Sequence, residues 1–274
     1  MKLHLDVGCG DGTWMLDKVI KYSDLVFIGL DYEVTPDLNT NSTQGVFNLI
    51  KNRVVTAAHN RAYKEEHGFV DVDFLTTGDS ENLHRMLSDP YRNRLLFAKS
   101  NMDDVRFRHS LHDGATYRKA SYQEVLQETL QIISEHPRGR RMSKYKIGET
   151  YKLDVSDYPL RIDFSELSDM PVEEFLKSQP TPEFVNYYKP YTDRISFVVG
   201  DARNLPFADA TFDGITVLNL GHDNDKTPKA EKQFDTLVDE TSRVIKVGCK
   251  IVIRPVPKYM QEEYPNGMTI ERTG

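Results

Sequence analysis

An open α/β sheet interrupted by a long insertion is the fold class that the sequence predicts. Three observations predict it. Residues 1–31 read as strand, glycine-rich turn, helix and strand. Residues 194–274 return to the same style, with three further strands and an amphipathic helix. Residues 43–193, between these two parts, have a different character.

The opening strand is carried by Leu3, Leu5 and Val7, followed by Gly8-Cys9-Gly10-Asp11-Gly12. Trp14, Met15, Val19 and Ile20 are spaced for one helical face. Leu25 to Leu30 form a continuous apolar run closed by Asp31. Such runs suit parallel strands covered on both faces. After the insertion, Ile195–Val199 is a strand ended by Gly200-Asp201, and Phe212–Leu218 is another. Phe234, Leu237, Val238, Thr241, Val244 and Ile245 mark a helix over 229–246, which Gly248 ends. Cys249–Ile253 is the next strand, stopped by Pro255 and Pro257. The remaining tail has room for a short helix at 257–264 and one edge strand at 268–272. The sheet is therefore expected to be shortened at its C-terminal edge. An exposed edge is normally protected, so the insertion or a second copy in a homodimer is expected to cover it.

In the insertion, 43–67 and 121–135 read as helices and Val70–Thr76 as a strand. Residues 137–146, PRGRRMSKYK, read as a basic loop. Residues 156–193, rich in Pro, Asp and Tyr, read as irregular. The expected division is 1–42 and 194–274 as a core, with 43–193 as a mostly helical insertion covering the substrate.

Composition narrows the function classes. The chain has 274 residues, 39% hydrophobic and 28% charged, with net charge −7. Acidic balance argues against a nucleic-acid partner, because phosphate binding needs clustered Lys and Arg. Arg138, Arg140, Arg141, Lys144 and Lys146 are a local exception, read as a solvated loop rather than an anion site. Two cysteines, Cys9 and Cys249, build neither a disulfide framework nor a metal cluster. The N-terminus lacks the apolar core of a signal peptide, and no stretch is apolar enough to span a membrane. The expected location is cytoplasmic.

A glycine turn between strand and helix lets a ligand approach the backbone, and the following helix offers its N-terminus. An acid closing the second strand, Asp31, is placed to accept two ribose hydroxyls. That much suits either of two cofactors. The dinucleotide fingerprint places its third glycine where Thr13 stands here, which favours S-adenosylmethionine over NAD.

Residues 3–14, LHLDVGCGDGTW, resemble the first motif of class I, Rossmann-like methyltransferases, in particular the methyltransferase-11-like group. IGLDY at 28–32 resembles the second motif. ISFVVGDARNLPFADATFDGITV at 195–217 resembles the third and fourth, and LVDETSRVIKVGCKIVI at 237–253 is similar to the helix and strand that follow. The resemblance implies a Rossmann-like sheet and S-adenosyl-L-methionine as cofactor. It implies that Asp6 and the backbone of Gly8, Cys9, Gly10 and Gly12 hold the methionine part, and that Asp31 binds the ribose. Asp201 would accept from the adenine amino group with the Ala202 amide beside the ring, and Asn219 would lie near the methyl group. Asp79 in VDFLTTGDSENL is a look-alike of Asp201 without the LPF and FD sequel.

Methyl transfer is an in-line displacement, so alignment and exclusion of water are the main requirements. A general base helps a neutral hydroxyl or amine acceptor. His222, in Gly221-His222-Asp223 after the fourth core strand, is the candidate base, weighed against a loop histidine without chemistry. Tyr187, Tyr188 and Tyr191 either line a pocket or pack. The sequence predicts methyl transfer to O or N of a small molecule. The alternatives are a protein or nucleic-acid methyltransferase and a non-catalytic S-adenosylmethionine-binding protein.

Overall fold

A computed structural model describes residues 1–32, 34, 37–67, 106–108, 117–119, 122–135, 137–151, 167–218 and 227–273. The expected strand at 70–76, Asp79, Asn219 and His222 lie outside these residues. The chain divides into two compact units, Met1–Thr43 with Pro182–Gly274, and Gln44–Thr181.

The first unit is a mixed α/β structure built on six strands: β1 (Lys2–Val7), β2 (Leu25–Asp31), β5 (Ile195–Val199), β6 (Gly214–Leu218), β7 (Lys250–Arg254) and β8 (Met268–Glu271). Their order is β5-β2-β1-β6-β7-β8, parallel except for the last strand. This is the Rossmann-like sheet the sequence predicts, closed by a single antiparallel edge strand. Strand β1 is central. Its Leu5 pairs with Ile28 of β2 and with Ile215 of β6, so the N-terminal motifs and the C-terminal motifs share one sheet.

Helix α1 (Thr13–Lys21) covers one face and α8 (Pro228–Val244) belongs to the other. The α8 face is an apolar core of Leu5, Val7, Leu30, Ile215, Val217, Phe234, Leu237, Ile251 and Ile253. Thr227 caps α8 by accepting from the Ala230 N–H at 3.1 Å, and Pro228 opens the helix where no N–H is needed. Arg194 ties this unit's N-terminal elements together. Its guanidinium donates to the carbonyls of Tyr22, Leu25 and Val19.

Residues 182–193, assigned to the insertion by the sequence reading, instead enter this unit as α7 (Pro182–Thr192). The irregular structure expected over 156–193 is corrected there, and also by α6 (Val172–Lys177) in the second unit. Two of the prolines read as breakers stand at the starts of these helices, and Pro190 lies inside α7. Pro171 is the residue preceding α6 and Pro182 the first of α7, positions where a fixed φ favours helix and the missing N–H costs nothing.

The second unit contains α2 (Thr43–His67), the short pair β3 (Arg106–Arg108) and β4 (Tyr117–Lys119), α3 (Tyr122–Glu135), α4 (Pro137–Ser143), α5 (Ile147–Tyr151) and α6. The expected basic loop at 137–146 is largely α4. A Cβ at Gly139 would overlap the Ile132 backbone of α3, so the glycine permits two helices to touch rather than breaking one. The basic side chains that follow are paired: Lys144 with Glu65 at 3.1 Å, Lys146 with Asp169 at 3.0 Å. The core of this unit includes Val46, Ile50, Val54, Ile133, Met142 and Phe175. Buried Lys51 donates to the carbonyls of Leu176 and Ser178, satisfying the end of α6. No helix among the described residues is long and apolar enough to cross a membrane.

Candidate cofactor cleft

A cleft of about 360 Å³ opens in the first unit, at the carboxyl ends of β1, β2 and β5. Open parallel sheets bind ligands at this end. Gly8, Asp31, Asp201 and Ala202 line it, together with Leu30, Tyr32, Gly200 and Arg203. The opposite wall is a stripe of α8, Ala230, Gln233, Phe234 and Leu237, with Pro257 and Tyr259 beyond β7.

The glycine loop is shaped by contacts within the unit. The Gly8 N–H donates to the Leu30 carbonyl at 2.8 Å, Gly10 to Asp31 Oδ2 at 2.8 Å, and Gly12 to the Cys9 carbonyl at 2.9 Å. Gly12 sits at φ +77°, and a Cβ there would overlap Thr40, Phe197 and Met15. The Thr13 N–H and hydroxyl both donate to Asp11 Oδ1. The amides of all three glycines are therefore committed inside the protein. The expectation that this backbone holds a ligand is narrowed to carbonyl and shape contacts, because the N–H groups are in use.

Asp31 is half-buried at the end of β2, its Oδ1 accepting from the Tyr32 N–H at 2.7 Å. Each of its oxygens takes one backbone donor, and a carboxylate has room for about four. Asp6 is 1% exposed, and neither of its oxygens has a partner. Burial, aided by the nearby Asp31 charge, pushes its carboxyl up to about 8. An orphaned buried acid beside a second acid is a site for a positive group. Cys9 is packed away from the cleft. Its Sγ stands 2.7 Å from where a Gly29 Cβ would lie, and burial raises its thiol well above the usual range. This is a packed thiol rather than a nucleophile.

Asp201 departs from expectation. Its carboxylate is engaged by Arg203: Oδ1 accepts from the Arg203 N–H and Nε at 2.9 Å each, and Oδ2 from Nη2 at 2.8 Å. The pair holds Asp201 below the ordinary carboxylate range. The loop that carries it is fixed at both ends. The Gly200 N–H donates to the Asp31 carbonyl at 3.0 Å, bringing the two predicted acids together. Further along, Arg243 of α8 donates to the carbonyls of Leu205 and Phe207, while Glu240 accepts from the Leu205 N–H.

Residues 147–253, about two-fifths of the chain, match the methyltransferase domain family. Over those residues the chain is similar to a methyltransferase domain. The match spans β5, β6, α8 and β7, and it begins after the glycine loop. The pairing of β1 with both β2 and β6 puts that loop on the same sheet as the methyltransferase match. No curated protein matches the chain.

Of the residues predicted for the site, Gly8, Asp31, Asp201 and Ala202 share the cleft; Gly10 is bonded to Asp31 beside it, while Asp6 and Gly12 are not among the lining residues. Tyr187, Tyr188 and Tyr191 do not line it. They pack on one another along α7, with ring centroids 4.9 and 5.8 Å apart, and Tyr188 is buried. Sequence reasoning missed Arg203, Gln233 and Tyr259. An Asp-x-Arg string beside the predicted base ligand, and a polar residue within an apolar i, i+3, i+4 stripe, were the available signals. Among the described residues no group of His, Cys, Asp or Glu is arranged to hold a metal.

Proposed function

We propose that the protein transfers a methyl group from S-adenosylmethionine to O or N of a small molecule. The observation that carries this reading is the charge of the glycine loop. Its amides are spent internally, while Asp6, Asp11 and Asp31 surround it. A dinucleotide pyrophosphate would find the glycine amides already bonded and three carboxyl groups around them. A ligand with an ammonium and a sulfonium meets complementary charge instead.

When bound, S-adenosylmethionine supplies an electrophilic methyl on a positive sulfur. Asp31 holds the ribose hydroxyls with its remaining lone pairs. An ammonium at the amino-acid end would draw off the proton that burial keeps on Asp6. Leu30, Phe234 and Leu237 give the adenosyl group apolar walls and exclude water. His222 takes the proton of a hydroxyl or amine acceptor. The acceptor enters over the carboxyl ends of β6 and β7.

Calorimetry with S-adenosylmethionine, S-adenosylhomocysteine and NAD tests the cofactor. The first two should bind and NAD should not, and Asp31→Ala should weaken binding by about tenfold or more. Preferential binding of NAD would overturn the reading. Transfer of labelled methyl to a metabolite extract tests catalysis. His222→Ala should lower that transfer by about 10²-fold or more while leaving the cofactor's Kd unchanged.

A further inference from the structure

The base end of the cleft is donor-rich. Arg203 spends two side-chain N–H groups on Asp201, through Nε and Nη2, and a guanidinium has five. Three remain, at Nη1 and Nη2, on a side chain that lines the cleft. On the acceptor side, Oδ1 of Asp201 already takes two donors and Oδ2 takes one. Swinging Arg203 away would exchange charge-assisted bonds for a single neutral one from an amino group, a weaker contact. The pinned loop holds the backbone that carries both residues.

Resting on the adenosyl reading above, we propose that Arg203 makes this subsite read a purine through its acceptor atoms. The 6-amino group of adenine is then not a specificity contact. Guanidinium N–H groups meet ring N7 of any purine, and a 6-oxo group adds a second acceptor in the geometry Arg uses toward O6 and N7. Asp201 acts as the positioning residue that aims Arg203.

The measurement is the Kd of the full chain for S-adenosylhomocysteine and for S-inosylhomocysteine, its 6-oxo counterpart. A site built to accept from the amino group would reject the oxo compound by orders of magnitude, since it would leave a carboxylate facing a carbonyl. S-inosylhomocysteine is expected to bind within about fivefold of S-adenosylhomocysteine or more tightly. Arg203→Met frees Asp201 and should move the ratio toward adenine by about tenfold or more. Arg203→Lys, which keeps charge but not the planar fork, should fall between them. A wild-type preference for adenine beyond about fivefold, or an Arg203→Met ratio equal to wild type, overturns the proposal alone. Failure of both ligands to bind overturns the cofactor reading with it.

Discussion

The two faces of one sheet follow opposite rules. On the α8 face, side chains from β1, β6 and β7 are aliphatic and fully buried, with Phe212 at 0% exposure packing against Phe207 at 5.0 Å between ring centroids. The α1 face carries His4, Asp6 and Thr216 between the aromatic rings of Trp14 and Phe27 and the two glycines Gly29 and Gly214. Alternation along β1 sends Leu5 and Val7 one way and His4 and Asp6 the other. One face supplies stability. The other gives some up to keep an unpartnered acid beside the glycine loop.

Removing apolar volume should therefore do the greatest damage. Phe212→Ala should cost about 3–5 kcal/mol, the range for large buried aromatics. The single tryptophan, Trp14, belongs to this unit and reports its unfolding in urea. A loss below about 1 kcal/mol would mean that the α8 face is not the unit's main core.

Replacing the orphan acid should act in the opposite direction. Asp6→Asn removes a carboxyl that the folded state keeps protonated, and should raise the thermal midpoint near neutral pH by at least about 3 °C. It should also weaken S-adenosylhomocysteine binding. The pH profile separates the causes. Burial and Asp31 push Asp6 to about 8, whereas burial alone pulls His4 down to about 4. Between about pH 4 and 6.5 the unfolded chain releases the Asp6 proton and gains one at His4, so their slopes cancel. From about 6.5 to 8 only the folded Asp6 still holds its extra proton, so stability falls by roughly 2 kcal/mol across that window. The lowered carboxyls of Asp201, Asp213 and Glu240 act only in acid. Asp6→Asn should abolish the decline above pH 6.5. An identical decline in the variant would remove Asp6 as its source.

The contrast between faces also explains what was legible in the sequence. Strands such as Leu25–Leu30 announce themselves by continuous apolar runs, and the six-stranded sheet follows from them. The helices α4, α6 and α7 were hidden because Pro137, Pro171, Pro182 and Gly139 carry the ordinary signs of loops. Their actual roles depend on position at a helix start or on a neighbour's backbone, neither of which spacing reveals. In the cleft, the glycines and Asp31 were readable from local pattern. The commitment of their amides was not, because Gly10 and Asp31 meet only once β1 and β2 pair.

Gly29→Ala tests how tightly the α1 face is closed. A Cβ at that position would stand 2.6 Å from Met15 Cε and 2.7 Å from Cys9 Sγ, so either α1 or the glycine loop must shift. The expected cost is about 1–3 kcal/mol, smaller than the Phe212 truncation because the atom met first is the far end of an unbranched, flexible side chain. Weaker cofactor binding alongside that loss would show the loop to be the part that moves.

Thr216→Val is the mildest change. Thr216 Oγ1 lies 2.5 Å from His4 Nε2, on the strand neighbouring Asp6. Valine keeps the shape and removes the hydroxyl, leaving a buried imidazole without that partner, at about 1 kcal/mol. Because His4 is neutral when folded, the cost should be constant from about pH 6.5 to 8, while the wild-type decline over the same range persists. A cost that grew with pH would tie Thr216 to Asp6 rather than to His4, and the polar face would then be a single coupled network.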